Sequence, residues 1–247
     1  MNQSIEHIIS RPDTWRGTSS HQASHFILNT PSANTTWPTA RSISTGFASL
    51  DNKLQLGGWP LQGAVEVLSN DDNSECMSLF LPTMQALSAE KRWQAFIGAP
   101  HTPYAPLIQA MGIPSEQVLM VHPKTREELL WATEQAVRST TCSVVFAWLG
   151  SAHYRYAELR KLQLAAADSD TLLFIFRSSD ALAESTPVSL RVHIDAYREI
   201  SVIKQRGGKS EVAIRLPDNP LFDSNVTTRE KTKVTATRTG TYLIPVA

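Results

Sequence analysis

A short apolar segment, a polar loop and a second apolar segment constrain the fold of this chain more than any other feature. Residues 64–68 form a β-branched run typical of a buried strand, and the apolar residues from Met77 onward predict a helix packed against it. Nucleotide-binding α/β proteins hold phosphate at this kind of junction. They use glycines, whose backbone N–H groups approach the phosphate closely, and a lysine that matches its charge.

The loop of this chain has the wrong chemistry for phosphate. It contains neither glycine nor lysine, and its three carboxylates would repel a triphosphate. Its residues are Ser69, Asn70, Asp71, Asp72, Asn73, Ser74, Glu75 and Cys76. We therefore predict a degenerate phosphate loop that binds no cofactor.

Predicted strands and helices alternate over the middle of the chain. The strands after the first are at 93–97, 118–121, 143–148 and 171–176, and the helices are at 74–88, 107–111, 125–139 and 155–167. This alternation specifies an α/β fold with a mostly parallel, doubly wound sheet. Strands alone follow, at 188–194, 198–204 and 211–216. Gly207-Gly208 predicts a hairpin turn between the last two, so we expect an antiparallel C-terminal hairpin extension of one sheet edge.

Two local features refine the helices. Pro82 should either kink the helix at 74–88 or remove one of its backbone hydrogen bonds. Thr125 and Glu128 fit a capping box at the start of the helix at 125–139. We divide the chain into a loosely ordered N-terminal arm at 1–42, a core domain at 43–216 and a disordered tail at 217–247.

Composition excludes several classes of protein. The formal net charge is zero, so no global basic field attracts nucleic acid or membrane. No segment approaches the roughly 18 consecutive apolar residues of a membrane-spanning helix. The two cysteines, Cys76 and Cys142, lie far apart and suit neither a zinc site nor a disulfide framework. These observations predict a cytoplasmic protein.

We predict neither a metal site nor an enzyme. His21 and His25 lie four residues apart but have no acidic third ligand nearby, so we expect surface histidines. His101 with Asp195, and Ser151 with His153, lack the third group that completes a catalytic set.

The tryptophans divide into two groups. We expect Trp93, Trp131 and Trp148 to pack in the core. Trp59 follows a Gly-Gly turn and precedes a proline, so we expect it at a subunit or partner surface.

Glycines and a proline at fixed offsets precede the first core strand. The pattern is Ser44-Thr45-Gly46, Ser49-Leu50-Asp51, Gly57-Gly58, Pro60 and Gly63, followed by Glu66-Val67. With this signature, residues 43–216 resemble the core of a RecA-type recombinase. The resemblance implies a RecA-like fold.

The chain departs from that family at the positions that act on ATP. The resemblance places Glu75 at the phosphate-binding lysine and Cys76 at the threonine that holds magnesium. Pro100 stands at the glutamate that activates water, Ala147 at the magnesium-supporting aspartate and Arg177 at the glutamine that senses the γ-phosphate. Loss of these groups together removes charge stabilisation, metal and nucleophile. One alternative function is therefore an atypical RecA-type ATPase, and Glu75 argues against it.

A RecA-like core without these groups is similar to the ImuA family. The shared sequence motifs include Gly58-Trp59-Pro60, Pro103-Tyr104-Ala105-Pro106 and Val145-Phe146-Ala147-Trp148-Leu149. The resemblance implies a non-catalytic accessory protein of damage-induced (SOS) error-prone translesion DNA synthesis, nucleoid-associated when it acts on DNA. The implied partners are an ImuB-like inactive polymerase-family protein and an error-prone DnaE-type polymerase, with RecA as a further candidate.

Residues 92–149 also resemble the cell-division inhibitor SulA, which belongs to the same broader group. The alternative function is therefore a SulA-like inhibitor that binds FtsZ. The ImuA resemblance is favoured over the SulA resemblance, because this sequence has the entry signature at 45–63 and the hairpin after Tyr197. SulA-type chains lack both features.

Basic residues in two places are candidate contacts to DNA or a partner protein. They are Arg177, Lys204, Arg206, Lys209 and Arg215 near the end of the sheet, and Arg155, Arg160 and Lys161 on the helix at 155–167. Ordinary solvated surface charge is the alternative for both sets. Weak DNA binding, and self-association through residues 1–42, are further expectations.

Overall fold

Eight strands form one mixed sheet in the part of the chain that this computed structural model describes, residues 41–70, 75–196 and 198–217. A separate ribbon pairs β1 (Ser42–Ile43) with β2 (Trp59–Pro60). The sheet contains β3 (Ala64–Ser69), β4 (Trp93–Ile97), β5 (Val118–Val121), β6 (Cys142–Gly150), β7 (Leu172–Ser178), β8 (Leu190–Ala196), β9 (Glu199–Gln205) and β10 (Val212–Arg215). The α-helices are α1 (Ala48–Asp51), α2 (Leu81–Ser88), α3 (Ala105–Ala110), α4 (Arg126–Arg138) and α5 (Tyr156–Ala167). Short 3₁₀ helices span Glu75–Leu79, Ser115–Gln117 and Ser179–Ala183.

The strand order is β10-β9-β8-β3-β7-β6-β4-β5. Neighbours from β8 to β5 are parallel, whereas β9 and β10 are each antiparallel to the strand before them. The predicted α/β fold, with a mostly parallel sheet and an antiparallel C-terminal hairpin, is confirmed. Because β3 lies between β7 and β8, its carboxyl end is near the middle of the row of strand ends.

Side chains alternate between two cores because successive strand residues face opposite sides of the sheet. On one face, aromatic residues from β4, β6 and β7 pack under α2 and α3. Phe80 lies at their centre, with its ring centroid 4.6 Å from that of Phe174 and 5.5 Å from that of Phe176. The other face is aliphatic and is covered by α4 and α5. Helices therefore cover both faces, as a doubly wound sheet requires.

Gly58 and Gly63 of the entry signature are required by close approach. A Cβ at Gly58 would lie 2.2 Å from the carbonyl oxygen of Ile43. Gly63 has a φ of +122°, and a Cβ there would lie 2.1 Å from Ser189 Oγ. These glycines let the β1–β2 ribbon and the start of β3 pack tightly against their neighbours.

The two helix predictions had different outcomes. Thr125 and Glu128 form the capping box of α4, as predicted. The expected kink at Pro82 is wrong, because a 3₁₀ helix ends before it and Pro82 lies in the first turn of α2. Proline is tolerated there, since first-turn N–H groups have no partner within a helix.

Most of the predicted arm and tail, with His21 and His25, lie outside the described residues. The described residues hold no group of three or more His, Cys, Asp or Glu side chains placed to bind a metal. None of the described helices combines the length and apolar character needed to cross a bilayer.

Candidate functional site

Three neighbouring strands, β3, β7 and β8, carry most of the buried charge of the described chain. Glu66, on β3, is fully buried and accepts hydrogen bonds from two arginines. Its Oε1 lies 3.1 Å from Arg177 Nη1, and its Oε2 lies 2.7 Å from Arg191 Nε. These arginines come from the strands on either side, β7 and β8. One carboxylate thus ties three adjacent strands together.

A second carboxylate extends the network toward solvent. Glu184 Oε2 lies 2.8 Å from Arg177 Nη2, and Glu184 Oε1 lies 2.9 Å from His153 Nδ1. Burial acts to raise the pKa of Glu184, but hydrogen bonds from Arg177 and His153 outweigh it and lower that pKa. Arg191 also donates to the carbonyl oxygens of Leu182 and Glu184 at 3.2 and 2.9 Å. The network therefore anchors the segment after β7 onto the sheet.

Burial of Arg177 contradicts its assignment as a DNA or partner contact. Its side chain is 2% exposed because it is enclosed by Glu66, Glu184 and the ring of Tyr154. Lys204 is also partly withdrawn, since its Nζ donates to Thr186 O at 2.6 Å. Burial, with repulsion from Arg191, lowers the pKa of Lys204. Of the predicted basic edge, the exposed residues are Arg206, Lys209 and Arg215.

The expectation that Trp59 lies at a partner surface is wrong. Trp59 is fully buried, its Nε1 donates to Thr83 Oγ1 at 3.1 Å, and its ring meets Phe174 edge-on at 5.2 Å. The Gly-Gly turn before it directs the chain inward. Trp93 and Trp131, predicted for the core, are instead 44% and 65% exposed, whereas Trp148 is buried as expected.

The helix α5 keeps its predicted basic surface. Arg155, Arg160 and Lys161 are all exposed. Arg155 and Lys161 make ion pairs at 3.4 Å to Glu158 and at 3.6 Å to Glu134. These pairs neutralise part of the local charge.

Tyr154, before α5, is buried rather than exposed. Arg126 Cζ lies 4.5 Å from its ring centroid, and Arg126 Nη2 lies 2.5 Å from Glu158 Oε2. That hydrogen bond is the main cause that lowers the pKa of Glu158 to about 2. Burial raises the pKa of Tyr154. The ring of Tyr154 is therefore part of a packed internal contact beside the basic surface of α5.

The degenerate loop is described only in part. Ser69 and Asn70 end β3 and follow it, residues 71–74 lie outside the described residues, and the side chains of Glu75 and Cys76 are likewise not described. Ala147, at the position of the magnesium-supporting aspartate, is fully buried in the aliphatic core. The absence of a working phosphate site stays a prediction.

The space beyond the carboxyl ends of β4 and β6, which we call the apolar half of the sheet, is lined by apolar side chains. A pocket of about 290 Å³ opens there, and its lining includes Met84, Phe96, Tyr104, Leu107 and Trp148. Pro100, at the position of the water-activating glutamate, lies on its rim. The described residues that line this pocket include no aspartate, glutamate, lysine or arginine.

A further cluster was missed by sequence reasoning. Ser179 Oγ lies 2.8 Å from His193 Nε2, and His193 Nδ1 lies 2.7 Å from Asp195 Oδ1. In the pair expected to be unproductive, Ser151 with His153, the imidazole Nδ1 lies 2.9 Å from Glu184 Oε1. A histidine and an aspartate two residues apart on a strand share one face, and this spacing was the available signal.

The fold and the sequence each have recognisable relatives. A KaiC-like protein from the archaeon Pyrococcus horikoshii aligns with a TM-score of 0.51, covering 72% of this chain and 100% of that chain at 11% identity. At that identity the likeness shows the fold alone, which is the KaiC/RecA-like class.

Within that class, residues 63–172 match the family model described as cell division inhibitor SulA. The SulA protein of Edwardsiella piscicida is 35% identical over 91 residues, which cover 36% of this chain and 54% of that protein. The RecA 1 protein of Myxococcus xanthus is 30% identical over 103 residues, covering 42% of this chain and 30% of that protein. The chain thus spans about half of the first relative and under a third of the second. These matches support the SulA link and the RecA similarity.

Proposed function

We propose that this protein is an ImuA-type accessory factor of damage-induced, error-prone translesion DNA synthesis. It works by protein and DNA contacts at the nucleoid rather than by nucleotide hydrolysis. Its partners are an ImuB-like inactive polymerase-family protein and a DnaE-type polymerase, with RecA as a further candidate. The observation that supports the non-catalytic part of this proposal is the engagement of Arg177 in a buried ion pair with Glu66.

That ion pair bears on nucleotide chemistry because of where Arg177 stands. The RecA resemblance assigns its position to the glutamine that senses the γ-phosphate. Arg177 is 2% exposed and already shares its guanidinium between two carboxylates, so reaching a phosphate would take away one of the two arginines that neutralise the buried Glu66. Removing one partner of a buried pair costs about 3–5 kcal/mol. The apolar pocket beyond β4 and β6 likewise offers no carboxylate for magnesium or water.

The extent of the chain favours a role beyond that of the SulA-matched segment. Residues 63–172 end at the first residue of β7, whereas the sheet continues through β8, β9 and β10. The β9–β10 hairpin carries Arg206 and Lys209, and α5 carries Arg155, Arg160 and Lys161, all exposed. These residues are the candidate DNA contacts that remain after Arg177 is removed from the set.

The experiment that tests the proposal is partner capture from DNA-damaged cells of the native host, with the full-length chain as bait. We expect recovery of the ImuB-like protein and the DnaE-type polymerase, identified by mass spectrometry. Undamaged cells provide the control. Repeated capture from damaged cells that recovers neither protein would overturn the proposal.

DNA contact is tested separately by fluorescence anisotropy with single-stranded DNA. We expect Arg160→Glu with Lys161→Glu to weaken binding, and the affinity of the native protein to fall with rising salt because counterions are released on binding. Lys91→Glu is the matched control, because Lys91 is also exposed but belongs to neither basic set. Equal weakening by the control would indicate a non-specific effect of charge.

A SulA-like inhibitor that binds FtsZ is the second candidate function. The match of residues 63–172 to the SulA family model favours it. On this alternative, expression would cause filamentous growth, FtsZ would be captured in place of the polymerase proteins, and purified protein would reduce the FtsZ polymer that sediments. Normal division and unchanged FtsZ sedimentation would exclude it.

A further inference from the structure

Three side chains at the carboxyl ends of β7 and β8 form a continuous hydrogen-bonded chain. Ser179 Oγ lies 2.8 Å from His193 Nε2, and His193 Nδ1 lies 2.7 Å from Asp195 Oδ1. Both distances fall within hydrogen-bond range, so the imidazole bridges a hydroxyl and a carboxylate through its two nitrogens. This order of contacts is the one found in serine–histidine–aspartate acyl-transfer sites.

The chemistry of the three groups determines which atom donates each hydrogen bond. An ionised carboxylate can only accept, so Nδ1 of the neutral imidazole carries the hydrogen and donates it to Asp195. Nε2 then holds a lone pair and accepts from the hydroxyl of Ser179. In this tautomer the histidine is oriented to remove the serine proton.

Local structure holds the chain of groups in place. His193 and Asp195 are two residues apart on β8, so they lie on the same face of the strand. Ser201, the cross-strand partner of His193 on β9, donates from its Oγ to Asp195 Oδ2 at 2.6 Å. Both carboxylate oxygens are therefore engaged.

Burial distinguishes the base from the nucleophile. His193 is 9% exposed, which keeps bulk water from competing for the imidazole, whereas Ser179 is half-buried and accessible to a reagent. Ser178, the preceding residue, donates from its Oγ to Asp180 Oδ2 at 3.0 Å instead. Of these two adjacent serines, Ser179 is the one that bonds the imidazole.

We propose that Ser179 is an activated nucleophile that accepts an acyl group from an activated ester, with His193 as its base and Asp195 as the orienting group. Ser179 Oγ forms a bond to the acyl carbon while its proton passes to His193. The bond between that carbon and the leaving oxygen breaks, and His193 returns the proton to the leaving alkoxide. The products are acyl-Ser179 and an alcohol, so atoms and electrons balance.

This activity is separate from the proposed function. It needs one acyl donor and no nucleotide, metal or partner protein. It also differs from both pairs considered in the sequence, since it places Asp195 with His193 rather than with His101. A single covalent transfer to Ser179 satisfies the proposal, and turnover of the acyl group is not required.

Covalent labelling of the full-length protein tests the assignment. The probes are a fluorophosphonate and p-nitrophenyl acetate, and intact mass with peptide mapping locates the adduct. We expect one adduct on Ser179 and none in Ser179→Ala. His193→Gln should slow labelling at least about 100-fold, because the general base is lost. Asp195→Asn should slow it at least about tenfold, because the amide disturbs the required tautomer.

Ser178→Ala is the matched control and should label at the native rate. Thermal unfolding of each variant identifies any that fail to fold, and the native protein alone already provides a decisive reading. Absence of an adduct on Ser179 of the folded native protein would overturn the proposal. So would unchanged labelling of a folded His193→Gln variant, since the serine would then react without its base.

Discussion

The charged half of the sheet, at β3, β7 and β8, and the apolar half, at β4 and β6, differ in how they fill the space beside their strands. Over β3, β7 and β8, buried carboxylates and guanidiniums pair with one another, with Glu66 at the centre. Over β4 and β6, aromatic and aliphatic side chains line a pocket of about 290 Å³. The charged half pairs its carboxylates with guanidiniums, whereas the described lining of the pocket in the apolar half contains no aspartate, glutamate, lysine or arginine. Buried charge in the described chain is thus confined to one half of the sheet, where each charged group depends on its partners.

Substitution of Glu66 should have the largest effect on this comparison. Glu66→Ala leaves Arg177 and Arg191 buried without their shared carboxylate, and we expect a loss of about 3–5 kcal/mol in the free energy of unfolding. Urea unfolding followed by circular dichroism measures it.

A triple variant sharpens the same point. Glu66→Met with Arg177→Leu and Arg191→Met replaces the charges by apolar groups of similar size, which is often neutral or stabilising. We expect most of the lost stability to return. A triple variant as unstable as Glu66→Ala would show that the charges are needed for more than mutual neutralisation.

The pair of Arg126 and Glu158 lies at the outer end of the charged half and should have an intermediate effect. We expect Glu158→Gln to cost about 1.5–3 kcal/mol at pH 7, the range for hydrogen bonds to charged groups. The pKa of Glu158 is lowered from 4.5 to about 2. Its stabilisation is therefore fully present above pH 4.5 and is lost as the pH falls toward 2.

Thermal unfolding across pH measures this effect. The curves of the native protein and of Glu158→Gln should converge between pH 4.5 and about 2. Glu127→Gln is the control, because Glu127 lies 3.7 Å from Arg126 and its side chain is 78% exposed. Curves that stay parallel through the acid range would contradict the assignment.

The smallest effect is expected from removing the indole N–H of Trp148 in the apolar half. Trp148 stacks on Phe176 with ring centroids 4.5 Å apart, and its buried Nε1 has no hydrogen-bond partner among the described residues. Trp148→Phe keeps a stacked ring and removes the unpaired donor, so we expect a change below about 1.5 kcal/mol. Trp148→Ala, which removes the ring, should cost about 3–5 kcal/mol. Similar costs for both variants would indicate that the indole N–H has an unrecognised role.

The sheet was predictable from sequence because its strands are long apolar runs with clear boundaries. The bounds of β4 and β5 agree with the prediction, and β6 is only slightly longer. The site was not predictable in the same way. Glu66 and Arg177 are separated by 111 residues, and no local pattern pairs them.

The tryptophans show a second limit. Trp131 is a large apolar residue, yet Leu129, Thr133 and Val137 define the buried face of α4, and Trp131 lies away from it. Helical periodicity should have outweighed residue type there. Trp59 shows the reverse case, since the direction of the chain after Gly58 depends on packing against Ile43, which sequence alone did not reveal.

The central position of β3 has a consequence for synthesis on the ribosome. Glu66 emerges early, but the arginines that neutralise it follow 111 and 125 residues later. Until β7 and β8 have been made, β3 has neither of its neighbours in the sheet and its carboxylate remains solvated. The sheet around β3 therefore cannot be completed until β7 and β8 have been made, and we expect a nascent chain stopped near residue 172 to present an unpaired apolar strand to chaperones.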